Sequence, residues 1–218
     1  SALSDLLPSN LKGLSILDAG CGDGSFAGKF SSKGAKVTGI DGSSSLITIA
    51  KRKFPDVKFL ESDLLKPMPL PDTFFDLIFA NMLLMHLSDI SMFLSESRRT
   101  IKPTGTLIFS ILHPCFNHPV TKLKKSFTDK VLNRGPKGES FDYFDQPGNR
   151  RFESVMDMEL THYHRTLEQY AKALSENRFA IDDLREPHEL PPEYLKNHPK
   201  HEYATRLPRF LFFKAKPL

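Results

Sequence analysis

The chain has 218 residues, 39% of them hydrophobic and 26% charged, enough for one domain with a substantial core. Its net charge of +4 and pI near 9.0 exclude a strongly polyanion-coating protein, and two cysteines exclude a disulfide framework and point to a reducing, cytoplasmic setting. No signal peptide is evident, and the longest apolar run, residues 77–87, is interrupted by Asn81 and His86 and is too short to span a bilayer.

The chain begins without Met and reaches its first strand after about fourteen residues, as expected of a chain trimmed at its N-terminus. Pro8, Ser9, Asn10 and Gly13 mark turns in that opening stretch. Residues 15–20 read as a buried strand, and Gly20, Gly22 and Gly24 follow in a tight turn. Phe26, Ala27 and Phe30 then recur at helical spacing until Gly34. A helix opening directly from such a turn offers unpaired N–H groups and a positive dipole end to a ligand.

Residues 36–41 form a second strand ending on Asp41, and Ser43–Ser45 cap a helix with Leu46, Ile49, Ala50 and Phe54 inward, stopped by Pro55. Residues 57–63 read as the third strand, Pro67, Pro69 and Pro71 as a loop, and the nearly all-apolar residues 74–81 as a parallel strand buried on both faces. Ile90, Phe93, Leu94, Ser97 and Ile101 give another helix. A turn at 103–105 leads to a fifth strand, 106–112.

The pattern breaks at His113. Residues 113–165 are rich in Pro, Gly, Lys and aromatics and read as an insertion in a single domain, because Phe116, Phe127, Phe141, Tyr143, Phe144 and Phe152 require something to pack on. Within it residues 155–164 alternate, placing Met156, Met158, Leu160, His162 and His164 on one face. A helix follows through Leu167, Tyr170, Ala171 and Leu174. Residues 179–184 and 210–215 read as closing strands, separated by a Pro- and His-rich loop.

Strands alternating with helices imply an α/β, Rossmann-like, doubly wound sheet, whose ligands sit beyond the carboxyl ends of the strands. The residues placed there are Asp18–Gly24, Asp41, Asp63, Asn81 and His113. Asp41, about twenty residues past the glycines, can accept from both hydroxyls of a ribose, whether of NAD or of S-adenosylmethionine. Asp18 stands just before the turn, where its charge would repel a pyrophosphate and suit a sulfonium amino acid. Asp63 can accept from an adenine amino group.

Asp18-Ala19-Gly20-Cys21-Gly22-Asp23-Gly24, Glu61-Ser62-Asp63-Leu64, Phe75–Asn81 and Leu84-Met85-His86-Leu87 together resemble, in order and spacing, the motifs of class I S-adenosylmethionine-dependent methyltransferases, in particular the ubiquinone- and menaquinone-type branch acting on small molecules. The likeness covers residues 15–112 firmly and 163–187 and 209–216 loosely. It implies seven strands with a final antiparallel one. It further implies that Asp18, Gly20, Gly22 and Gly24 surround the methionine part of the cofactor and Asp41 holds the ribose, with Gly42 letting the chain pass close. Asp63 and Leu64 would frame the adenine, and Asn81 with Met82 would line the floor under the sulfonium. Family members carry helices ahead of the first strand as a lid, and this chain has little sequence there.

Methyl transfer requires a base only when the acceptor is protonated, and histidine is the natural candidate near neutrality. His164, within a stretch resembling the entry to the sixth-strand helix, and His113, at the end of the fifth strand, are the candidates. Each is equally a structural histidine at a loop or helix entry. His86, His162 and Tyr143 are candidates for acceptor contact, against packing roles. Cys115 after Pro114 resembles the nucleophile of cytosine-C5 methyltransferases without their partner motif, and no metal-ligand spacing is evident. The expected partner is a small-molecule acceptor rather than a nucleic acid. An RNA or protein methyltransferase using Lys122, Lys124, Lys125 and Lys130, a non-catalytic cofactor-binding module and a nicotinamide oxidoreductase remain as alternatives.

Overall fold

The computed structural model describes residues 2–116, 123–124, 137–138, 143, 150–153, 159–187, 192–197 and 208–218. In chain order its elements are α1 (Ala2–Leu6), β1 (Ser15–Ala19), α2 (Ser25–Ser32), β2 (Lys36–Asp41), α3 (Ser44–Lys53), β3 (Lys58–Glu61) and β4 (Phe75–Asn81). A 3-10 turn (Leu84–His86), α4 (Ser91–Thr100) and β5 (Ile101–Leu112) follow. The short strands β6 (Leu123–Lys124), β7 (Lys137–Gly138), β8 (Arg150–Glu153) and β9 (Glu159–His162) then precede α5 (Leu167–Glu176), β10 (Phe179–Arg185), α6 (Pro192–Asn197) and β11 (Phe210–Pro217).

Seven strands form one sheet in the order β10-β11-β5-β4-β1-β2-β3. β1 pairs in parallel with both β2 and β4, so the chain winds one way through β2 and β3 and the other way through β4 and β5. That reversal is the switch point at which doubly wound sheets open a crevice. β11 runs antiparallel to both β5 and β10.

Alternation along each strand builds two cores. Leu17, Ala19, Ile78, Ala80, Leu107 and Phe109 enter one, while Ile16, Leu77, Phe79 and Ile108 enter the other. A strand buried on both faces reads as a continuous apolar run, which is why β1 and β4 are legible in the sequence. On one side Phe26 and Phe30 of α2 close on Phe79 at ring distances of 5.0 and 5.2 Å. On the other Phe109 and Phe213 stack at 4.7 Å. α5 opens on a capping box, with Thr166 and Gln169 satisfying each other's amides.

Several elements differ from the sequence reading. α1 was hidden because it is only five residues long. It lies against the second core, where Leu6 and, just after it, Leu11 are buried. α6 lies where a loop was expected. β5 begins at Ile101, a position assigned from periodicity to the preceding helix, and its register against β4 jumps between Phe75 and Leu77, so 103–105 form an irregularity within a strand. Within residues 113–165 the described parts include two ribbons, β6/β7 and β8/β9. The expected packing of Phe127, Phe141 and Phe144, the Met156/Met158 stripe and the Lys122, Lys125 and Lys130 cluster lie outside the described residues. Phe116 is 47% exposed. Among the described residues no helix is long and apolar enough to cross a membrane.

The proline loop between β3 and β4 is held by Arg99. Its guanidinium donates to the carbonyls of Met68 and Leu70 at 3.0 and 2.8 Å and to the carboxylates of Asp72 and Glu96. Glu96, buried, also accepts the Met68 amide at 2.7 Å. Removing the guanidinium leaves a buried carboxylate and two carbonyls short of partners, so Arg99→Ala is expected to cost about 1–3 kcal/mol. Urea unfolding checks this; a change below about 0.5 kcal/mol, the usual size for a surface substitution, contradicts it.

Candidate active site

The turn after β1 is fixed by the end of β2. The Gly20 and Cys21 amides donate to the Ile40 carbonyl at 2.8 and 3.0 Å, and the Gly22 amide donates to Asp41 Oδ2 at 2.9 Å. The glycines differ in purpose. A Cβ on Gly20 would lie 2.8 Å from Leu83 Cδ1, and one on Gly24 would lie 2.8 Å from Phe59 Cζ. Those two are bare because neighbours pack against them. Gly22, at φ +54°, would meet nothing within 4 Å, so its backbone faces open space.

Three carboxylates crowd the same tips. Asp41 accepts from Gly22 and, through Oδ1, from the Ser43 amide at 2.9 Å, which leaves each oxygen a second lone pair. Asp23 accepts from Ser25 and pairs with Lys53, and these contacts hold its carboxyl below the usual range. Asp18 is 2% exposed, and its Oδ2 has no hydrogen-bond partner among the described residues. Burial, with smaller repulsion from Asp41 and Asp23, raises its pKa from 3.8 to about 7, against an opposing bond from the Ala27 amide. The sequence reading treats Asp18 as a fixed negative charge; in the fold it titrates near neutrality. Burial, then the Asp18 carboxyl, likewise pushes up the Cys21 thiol, which makes a poor nucleophile.

An unpartnered buried oxygen beside an open glycine backbone fits a ligand carrying a cationic amine, as the amino-acid part of S-adenosylmethionine does. The third tip is tied in by the Ser62 amide, which donates to the Asp41 carbonyl at 3.0 Å. Asp63 is exposed and accepts the Leu65 amide at 3.0 Å, with Lys66 at 3.4 Å. The side chain of Leu64 is buried in the core rather than at the mouth. At the tip of β4 the Asn81 Oδ1 accepts the Ser110 hydroxyl at 2.8 Å, and Met82 sits in the left-handed region at φ +55°. A bulky residue there is strained, a condition that concentrates at functional sites.

The acceptor-side candidates fall into two groups. His86 donates through Nδ1 to the Thr161 carbonyl at 2.8 Å, with its ring 6.2 Å from that of His162, which is 5% exposed. The Tyr163 amide donates to the Met85 carbonyl, and Arg165 donates to the carbonyls of Leu84, Leu87 and Ser88 at 3.1, 2.6 and 2.8 Å. The chain beyond β9 is thus stitched to the turn after β4. Arg165 went unnoticed in the sequence, since its partners are backbone atoms far along the chain.

The second group lies at the entry to α5 and the end of β5. His164 Nε2 lies 3.1 Å from the Tyr143 carbonyl oxygen, and the Tyr143 hydroxyl accepts the Leu167 amide at 2.6 Å. Burial raises the Tyr143 phenol above its ordinary value. His113 is 1% exposed, with Nδ1 accepting the Cys115 amide at 3.1 Å and Nε2 facing Glu186 Oε1 at 2.7 Å. Both of its ring nitrogens are therefore engaged.

Comparison with known proteins places this geometry. The family described as "Methyltransferase domain" matches residues 17–109. A malonyl-[acyl-carrier protein] O-methyltransferase from Serratia marcescens is 32% identical over 100 residues, covering 46% of this chain and 39% of that protein. A demethylmenaquinone methyltransferase from Chlorobaculum tepidum is 35% identical over 91 residues, covering 41% of this chain and 37% of that one. The matched stretch thus spans well under half of these curated relatives. A crystal structure of an S-adenosylmethionine-dependent methyltransferase from Mesorhizobium loti superimposes with TM-score 0.82 at 25% identity, covering 99% of this chain and 95% of that one. Residues 17–109 thus match a methyltransferase domain, and the chain along its whole length is similar to an S-adenosylmethionine-dependent methyltransferase of known structure.

The state of Asp18 gives a stability signature. Between its ordinary value of 3.8 and about 7 the folded chain keeps a proton that the unfolded chain has lost. Stability from this group is therefore greatest at low pH, falls as pH rises from about 4 to about 7, and is flat above. Asp18→Asn removes that slope and is expected to stabilise the ligand-free protein at pH 8 by up to about 4 kcal/mol. Melting curves across pH 5–8 check it; parallel curves for the two proteins contradict it.

Proposed function

We propose that this chain is a class I methyltransferase that moves a methyl group from S-adenosylmethionine to an oxygen, nitrogen or carbon atom of a small-molecule acceptor. The observation that carries the reading is the buried, unpartnered Asp18 Oδ2 beside the open face of Gly22. Asp18, Gly20, Gly22 and Gly24 hold the methionine part, Asp41 with Gly42 the ribose, Asp63 with the Leu64 backbone the adenine, and Asn81 with Met82 the floor. Bound there, the cofactor supplies a methyl on a sulfonium sulfur that leaves as a neutral thioether when an acceptor lone pair displaces it in line.

The chain's own residues then have three tasks. They align acceptor and donor, a contribution of up to about 7–11 kcal/mol in ideal cases. They exclude water, for which the pinning of 163–165 over the turn at 84–88 is suited. They remove a proton where the acceptor carries one. His164 is the base in this reading. His113, with both nitrogens engaged, would serve only by giving up the Cys115 amide. His86, His162 and Tyr143 contact the acceptor.

The two relatives named above carry out, by their names, O-methylation of a carrier-protein-bound malonyl group and methylation of demethylmenaquinone. Each match covers less than half of this chain. Acceptor choice accordingly belongs to the remainder of the single domain, residues 113–165 above all.

Because only a true ligand stabilises the native state, S-adenosylhomocysteine should raise the melting temperature and NAD should not. Asp41→Ala is expected to weaken S-adenosylhomocysteine by about 1.5–3 kcal/mol, the worth of a charge-assisted hydrogen bond. Stabilisation by NAD alone, or unchanged affinity in Asp41→Ala, contradicts the reading. With an acceptor found from a panel of carboxylates, phenols and amines, His164→Ala should lower turnover about 10²-fold or more, with cofactor affinity intact. Undiminished turnover removes His164 as the base.

A further inference from the structure

Ser110 lies in the apolar run of β5 and is 1% exposed. It pairs in register with Asn81, at the tip of the neighbouring β4. Its hydroxyl is not required by the sheet. The Met82 amide already donates to the Ser110 carbonyl at 3.1 Å, as the ladder demands. The same amide also reaches Ser110 Oγ, at 3.0 Å.

That second contact fixes the direction of the hydroxyl. Oγ accepts from Met82, so its single proton must go to an acceptor, and Asn81 Oδ1 lies 2.8 Å away. The Asn81 carboxamide is thereby turned with its oxygen toward β5. Its nitrogen, with two N–H donors, is the group left for whatever lies beyond the strand tip. The same hydroxyl gives the strained Met82, at φ +55°, a second acceptor for its amide. A bulky residue in the left-handed region is strained, so an extra acceptor there helps to hold it.

We propose that Ser110 is a positioning residue for the cofactor, acting through Asn81 to present N–H donors to oxygen atoms of the bound molecule. The assignment rests on the cofactor reading above. Ser110 touches no ligand itself; it decides which end of the Asn81 amide the ligand meets. The donors suit the carboxylate and hydroxyl oxygens that the cofactor carries on either side of its sulfur.

Calorimetric titration of S-adenosylhomocysteine into wild type, Ser110→Ala, Asn81→Ala, Asn81→Asp and the Ser110→Ala/Asn81→Ala double variant tests it, with a melting curve for each. Ser110→Ala should bind at least about fivefold more weakly while melting within a few degrees of wild type, since the Ser110 carbonyl still accepts from Met82. The double variant should bind no more than about twofold worse than Asn81→Ala alone, because the effect passes through Asn81. Asn81→Asp keeps an acceptor for the Ser110 hydroxyl and loses the donors, so it too should weaken binding at least about fivefold. Wild-type affinity in Ser110→Ala or in Asn81→Asp, or losses that multiply in the double variant, overturns the proposal. Absence of any heat from the wild-type protein overturns the cofactor reading itself, and this assignment with it.

Discussion

Everything at the mouth of the sheet depends on how the turn after β1 is tied to the end of β2. Three backbone amides do this work, Gly20 and Cys21 on the Ile40 carbonyl and Gly22 on the Asp41 carboxylate, which the Ser43 amide also holds. These bonds let an acidic residue end β2 with no ion-pair partner among the described residues. They also set the open backbone of Gly22 next to Asp41, at the point where strand order reverses and a crevice must form.

The same arrangement carries a cost at Asp18. A carboxyl that is almost wholly buried, near two others and with one oxygen unpartnered, cannot stay ionised cheaply. The ligand-free fold therefore holds a group that a cationic amine would satisfy. Above about pH 7 stability is therefore lower than packing alone would give. Asn81, Met82 and Ser110 repeat the logic on the next strand, where backbone strain and an oriented amide are both held by one buried hydroxyl.

Much of the sheet was legible in the sequence because its strands are buried on both faces, and such runs announce themselves in β1, β4 and the second half of β5. The glycine turn was legible because three glycines in five residues have few other uses. What escaped depends on distant partners. Arg165 and Arg99 bind carbonyls that no local pattern points to, and the meaning of Ser110 emerges only when β5 lies beside β4. α1 and α6 escaped because helices of five and six residues owe their existence to packing rather than to periodicity. Leu64 packs in the core directly after Asp63, which opens a turn. The histidines were visible individually, but their grouping was not. His86 and His162 meet across the turn after β4, while His164 and Tyr143 meet at the entry to α5.

A crystal structure of the complex with S-adenosylhomocysteine would decide whether this arrangement is a cofactor cradle. The amino nitrogen of the ligand should lie within hydrogen-bond distance of Asp18 Oδ2, its ribose hydroxyls on Asp41, and its chain along the open side of Gly22. Ligand bound elsewhere on the protein, with Asp18 Oδ2 still unpartnered, would contradict the account.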